Sequence, residues 1–101
     1  MKAIVANHAG GPETMALQDV DSPACPPDAV IVSVAAAGVN FIDTYERSGV
    51  YPAEFPLIPG REGCGTVIEC GSDVTWAEEG QRVAWTWSPG SYAERVVVRR
   101  E

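Results

Sequence analysis

A chain of 101 residues suits a single domain and leaves no room for a second. Its formal charge of −7 argues against a nucleic-acid partner, because the only basic cluster, Arg95, Arg99 and Arg100, stands between Glu94 and Glu101. With 46% hydrophobic and 21% charged residues the composition is that of an ordinary globular domain, and no apolar run reaches the ~18 residues of a membrane span. The first seven residues are too short an apolar run for a signal peptide, so a cytoplasmic location is the expectation.

In chain order, residues 2–7 read as a first strand and 8–12, His-Ala-Gly-Gly-Pro, as a turn. Residues 15–20 return as a second strand with Met15, Leu17 and Asp19 on one face. Pro26 and Pro27 keep 22–28 an extended loop. Residues 29–37 form the strongest strand, thinning from Val30-Ile31-Val32 into Ala35-Ala36-Ala37, where small side chains imply a close backbone neighbour. Three prolines keep 50–59 irregular, and Gly60, Gly63 and Gly65 announce bulges or close approach at the start of a strand running to Cys70. Val74 and Trp76 point inward from a loop. Residues 82–87 and 91–99 then read as a hairpin about the turn Ser88-Pro89-Gly90. Short strands separated by Gly and Pro turns indicate an all-β barrel or sandwich.

The stretch 38–51 stands apart. Asn40 caps a helix of about two turns, Asp43 takes the acidic first-turn position, Arg47 meets the carbonyl end and Gly49 supplies the left-handed stop. Phe41 and Tyr45 are four apart and share a face, with Ile42 alongside. Such a short helix is unstable alone and must be held by the rest of the chain. Arg61 and Glu62 are either an ion pair at a cleft or two surface charges. His8, the only histidine, is solvated, and Trp76, Trp85 and Trp87 serve core or rim packing. Cys64 and Cys70 lie six apart in one strand, roughly 20 Å, beyond disulfide reach, so Cys25, Cys64 and Cys70 are expected as free thiols.

The phrases Ala37-Gly38-Val39-Asn40-Phe41-Ile42-Asp43, Tyr51-Pro52, Phe55-Pro56-Leu57-Ile58-Pro59-Gly60, Glu62-Gly63-Cys64-Gly65-Thr66-Val67, Gly80-Gln81-Arg82-Val83 and Gly90-Ser91-Tyr92-Ala93-Glu94 follow in one order. Together they resemble the N-terminal GroES-like domain of the medium-chain dehydrogenase/reductase superfamily, on the branch of zinc-independent NADPH:quinone oxidoreductases related to zeta-crystallin. Zinc enzymes of that superfamily carry a Cys where this chain has Asn40 and a His where it has Arg61. They also insert a four-cysteine lobe where Val83 here runs straight on to Trp85 and Trp87. Asparagine is a poor zinc ligand and arginine none, so the resemblance implies no metal.

The resemblance further implies a mainly β fold, a GroES-like partly open β-barrel with one or two short helices, over residues 1–101. It implies a nicotinamide end of NADPH lying along Asn40, Phe41, Ile42, Asp43, Thr44 and Tyr45, with Tyr45 and Tyr51 as the catalytic tyrosines lining a pocket for a quinone or enone. On the residues alone, Asn40 and Thr44 equally well cap and bond their own turn, and Tyr51 equally well packs in a core. No Gly-x-Gly-x-x-Gly opens a helix here, and the resembling enzymes carry their Rossmann domain after this segment. The chain alone is therefore expected to be inactive and monomeric, the longer enzyme to be a homodimer. Two other functions stay open: a co-chaperonin subunit on the same GroES-like fold, and a stand-alone small-ligand binding or interaction module.

Overall fold

Alternation of apolar and polar residues, and the turns between them, build six strands and one α-helix among the described residues. The structure is a computed structural model and describes residues 1–100. Strands β1 (Lys2–Ala6) and β2 (Met15–Asp19) pair antiparallel, Lys2 opposite Asp19 and Ala6 opposite Met15. A 3-10 turn, Pro12–Thr14, leads into β2. Strands β3 (Ala29–Ala37), β4 (Gly63–Cys70), β5 (Arg82–Trp85) and β6 (Arg95–Arg99) form an antiparallel sheet in the order β5-β4-β3-β6. The helix α1 (Phe41–Ser48) lies between β3 and β4 in sequence. The fold is mainly β, as expected, and the two sheets stay open without closing into a barrel.

The core follows from β3. Val30 and Val32 face the same way and meet Val98 and Val96 of β6 in register, with Val67 of β4 opposite Val32. Trp85 completes this cluster, and Val74 and Trp76 pack against it from their loop. In the second half of β3 the side chains shrink and the glycines of β4 come close. A Cβ on Gly63 would stand 2.7 Å from the Ala36 carbonyl oxygen, and one on Gly65 would run into that of Ser33. The pairing shifts register between Ile31 and Val32 and again between Val34 and Ala36, the irregularity that these glycines announce.

One expectation fails. β5 and β6 form no hairpin; they occupy opposite edges of the sheet. The segment between them is drawn off by non-local hydrogen bonds. Gly90 N–H donates to Gly60 O, Tyr92 N–H to Pro59 O, and Glu94 N–H to Lys2 O, each at 3.0 Å. In turn Ile4 N–H donates to Tyr92 O and Val34 N–H to Glu94 O, both at 2.9 Å. Residues 92–94 thereby stitch β1 to β3 and join the two sheets.

Gly65→Ala places a methyl against backbone that side-chain rotation cannot clear. It is expected to lower unfolding free energy by about 2 kcal/mol, read as a drop in the urea midpoint at unchanged slope.

Candidate functional site

The helix α1 is short enough that its caps decide its limits. Asn40 is extended, φ −129° and ψ 157°, and its backbone N–H donates to Asp43 Oδ2 at 3.0 Å in a capping box. At the other end Gly49 is left-handed, φ 87°, and its N–H donates to Glu46 O at 3.3 Å. Its burial is inverted relative to an ordinary amphipathic helix. Asp43 and Glu46, three apart on one face, are 4% and 9% exposed, whereas Phe41 on the other face is 81% exposed.

Buried carboxylates persist only with partners. Tyr92 donates its phenol proton to Asp43 Oδ2 at 2.7 Å. Arg61 grips Glu46 with both prongs of its fork, Nε to Oε1 at 3.0 Å and Nη2 to Oε2 at 2.8 Å. Arg47 Nε donates to Gly10 O at 3.1 Å, and Gly10 N–H returns a bond to Arg47 O at 3.0 Å. Three distant segments therefore hold the helix. Burial, and then the bond to Asp43, push the Tyr92 phenol far above its ordinary range. The hydrogen bonds to Glu46 raise Arg61 further above its already high value.

Arg61 and Glu62 do not pair with each other. Arg61 goes to Glu46, and Glu62 Oε1 accepts the Asn40 side-chain amide at 3.1 Å. Around this lattice lie three hollows. One of about 280 Å³ is lined by Asn40, Ile42, Arg61, Glu62, Thr86 and Trp87. A second, also about 280 Å³, lies against Val39, Asn40, Phe41 and Thr44. A third of about 570 Å³ runs from Ala36 and Ala37 past Glu62 and Cys64 to Trp85 and Thr86.

Of the residues singled out from sequence, Asn40, Phe41, Ile42 and Thr44 line these hollows. Thr44 Oγ1 also donates to Phe41 O at 2.6 Å, the bond within its own turn. Asp43 turns inward and holds the helix through Tyr92. Tyr45 and Tyr51 come together, ring centres 5.2 Å apart and planes at 59°, both exposed and outside the linings of the three hollows. Trp85 is core, but Trp87 is not: it is 58% exposed, its backbone is left-handed at φ 64°, and Arg61 Cζ lies 5.6 Å from its ring centre. Sequence reading missed Glu46, Tyr92 and the outward Trp87. Only Glu46 left a signal, its spacing of three from Asp43. All three cysteines are free, and His8 is exposed.

Tyr92→Phe strips a donor from a buried carboxylate and is expected to cost about 2 kcal/mol. It also tests a pH dependence. Folding holds the Tyr92 proton more tightly than the unfolded chain does, so above about pH 10 the unfolded state binds fewer protons and stability falls as pH rises. That part of the fall is absent from Tyr92→Phe in urea titrations run at stepped pH. Arg61→Leu, which leaves Glu46 without its fork, is expected to cost about 2 kcal/mol, less than a fully buried pair because Arg61 is partly solvated.

Residues 26–101 match the family described as the alcohol dehydrogenase GroES-like domain. The chain is 45% identical over 96 residues to a quinone oxidoreductase of Pseudomonas aeruginosa, covering 91% of this chain and 29% of that protein. It is 40% identical over 102 residues to the quinone oxidoreductase of Lama guanicoe, covering 97% and 31%. Among solved structures it superposes on the Escherichia coli quinone oxidoreductase complexed with NADPH with a TM-score of 0.93 and 35% identity, over 98% of this chain and 31% of the other. The chain thus spans about a third of the length of these relatives. The co-chaperonin alternative is not favoured by these matches. By its family match and by its open β fold with a single capped helix, this chain belongs to the alcohol dehydrogenase GroES-like domain family.

Proposed function

We propose that residues 1–101 are the GroES-like, substrate-side domain of a zinc-independent oxidoreductase that moves hydride from NADPH to a quinone or related enone, with the Rossmann nucleotide-binding domain outside this segment. The observation that carries the reading is the set of hollows along the start of α1, walled by apolar faces of Phe41 and Ile42 and by the polar Asn40 and Thr44. The residues present fit a nicotinamide end. Phe41 offers a flat ring and Ile42 apolar contact, while the Thr44 hydroxyl, its proton committed to Phe41 O, keeps acceptor capacity for an amide N–H. Asn40 is held in place by Glu62, which orients its amide before any ligand arrives. When bound, NADPH supplies the hydride.

The remaining work falls to side chains of this chain. Tyr45 and Tyr51 form an aromatic wall with phenol tips, suited to stack against a quinone ring and donate to the carbonyl oxygen on which negative charge grows. Asp43 takes no part in contact; with Tyr92 it sets where α1 lies. The reading without zinc is supported by the donor chemistry. Asn40 and Arg61, bonded to Glu62 and Glu46, offer no zinc ligand pair, and the described residues contain no cluster of three His, Cys, Asp or Glu. The same reading places the longer enzyme in the cytoplasm as a homodimer, with this segment monomeric when isolated. No helix among the described residues is long and apolar enough to cross a membrane.

The test is a chimera in which this chain replaces the matching segment of the Pseudomonas aeruginosa relative. It is expected to oxidise NADPH with 1,4-benzoquinone, and Tyr51→Phe is expected to lower kcat by about tenfold to a hundredfold. The isolated chain is expected to be inert. A folded chimera without turnover sinks the assignment, and brisk NADPH oxidation by the isolated chain sinks the division of labour.

A further inference from the structure

The hollow of about 280 Å³ has two unlike walls. One is the start of α1, Asn40 and Ile42, already assigned a role. The other, Arg61 and Trp87, is not used by that assignment. Glu46 consumes Arg61 Nε and Nη2, which leaves Nη1 as the donor not spent on that pair and fixes the plane from which it points. The guanidinium lies over the Trp87 indole, 5.6 Å from Cζ to ring centre. Trp87 keeps this position with its ring largely in solvent and its backbone at φ 64°, a conformation that bulky residues rarely adopt. Backbone strain of this kind persists where the surroundings over-determine a residue, and binding sites are where it gathers.

We propose that Arg61 and Trp87 select the acceptor: the indole stacks on a planar, electron-poor ring, and Arg61 Nη1 donates to one of its carbonyl oxygens. This rests on the quinone-reductase reading above and narrows its substrate to a neutral quinone of one or two rings over an open-chain enone. Three features set the class. The hollow lies near the lower end of small-molecule pockets, which suits a small ring system. An electron-rich indole prefers offset stacking on an electron-poor partner. Glu46 offsets the charge of Arg61, so a neutral ligand loses nothing to an anionic one, while an oxygen gaining negative charge still finds a donor.

The test uses 2,3,5,6-tetramethyl-1,4-benzoquinone, whose filled ring positions deny addition to the free thiols, titrated into the isotope-labelled chain. The Trp87 indole N–H and Arg61 Nε–H resonances are expected to shift. Trp87→Gly, which suits the left-handed backbone and so preserves the fold, is expected to weaken binding about fivefold to tenfold. Arg61→Lys keeps the charge but not the fork, and is expected to weaken it as well. Binding that shifts Tyr45 and Tyr51 while Trp87 and Arg61 stand still, or that survives Trp87→Gly unchanged, overturns this inference and leaves the quinone-reductase reading in place. No shift anywhere up to the solubility limit of the quinone also overturns this inference, while the quinone-reductase reading stands or falls with turnover by the chimera.

Discussion

The site depends on two carboxylates that face the wrong way. An eight-residue helix in a β-rich chain would ordinarily bury its apolar side, yet α1 puts Asp43 and Glu46 inward and leaves Phe41 outside. The hydrophobic effect therefore does little to hold it. Directional bonds do the holding, from Tyr92 to Asp43, from Arg61 to Glu46 and between Arg47 and Gly10. Apolar contact would tolerate sliding and rotation, because it has no preferred direction. A two-pronged guanidinium bond does not. The same burial frees Phe41 and Tyr45 to meet something other than their own core, which is what a ligand-facing helix requires.

The four-stranded sheet supplies the frame by changing character along one strand. The first four residues of β3 are buried and carry the core, while the last three are exposed. Ala36 and Ala37 then floor the larger hollow, with Gly63 close beneath them. Side-chain volume falls where the strand leaves the core, and the space given up becomes the site. The stitch through residues 92–94 matters equally, since it brings Tyr92 under α1 while closing β1 onto β3.

What the sequence made legible was whatever is encoded locally. The limits of α1 follow from Asn40, Asp43, Arg47 and Gly49, all within one short stretch, and those of β3 from the Val- and Ile-rich run Val30-Ile31-Val32-Ser33-Val34 ending in alanines. The β5–β6 pairing was misread because a Ser-Pro-Gly turn between two strands suggests a hairpin, whereas partners near residues 2, 59 and 60 carry the intervening chain away. Those bonds leave no trace in local composition. Arg61 and Glu62 stayed open between an ion pair and two surface charges for the same reason, because their partners stand 15 and 22 residues back, at Glu46 and Asn40. The facing of α1 was hidden for a different reason. An aromatic pair four apart shows a shared face but not which way it turns, and only the presence of Tyr92 and Arg61 beneath the helix makes the acidic side the cheaper one to bury.

Those two long-range contacts brace the hollow itself. Asn40 and Glu46 belong to the helix side, Glu62 and Arg61 to the strand entering β4, and each of the two bonds between them crosses from one wall to the other. A hollow braced in this way has its width set before a ligand enters, so binding does not have to order α1 at the expense of affinity. The bracing also ties stability to recognition, because Arg61 is at once the counter-charge of Glu46 and the surface behind Trp87. A change that loosens the helix must shift both walls together, whereas a change confined to Trp87 alters the lining and leaves the brace intact. Stability and selectivity are thus separable at Trp87 and inseparable at Arg61.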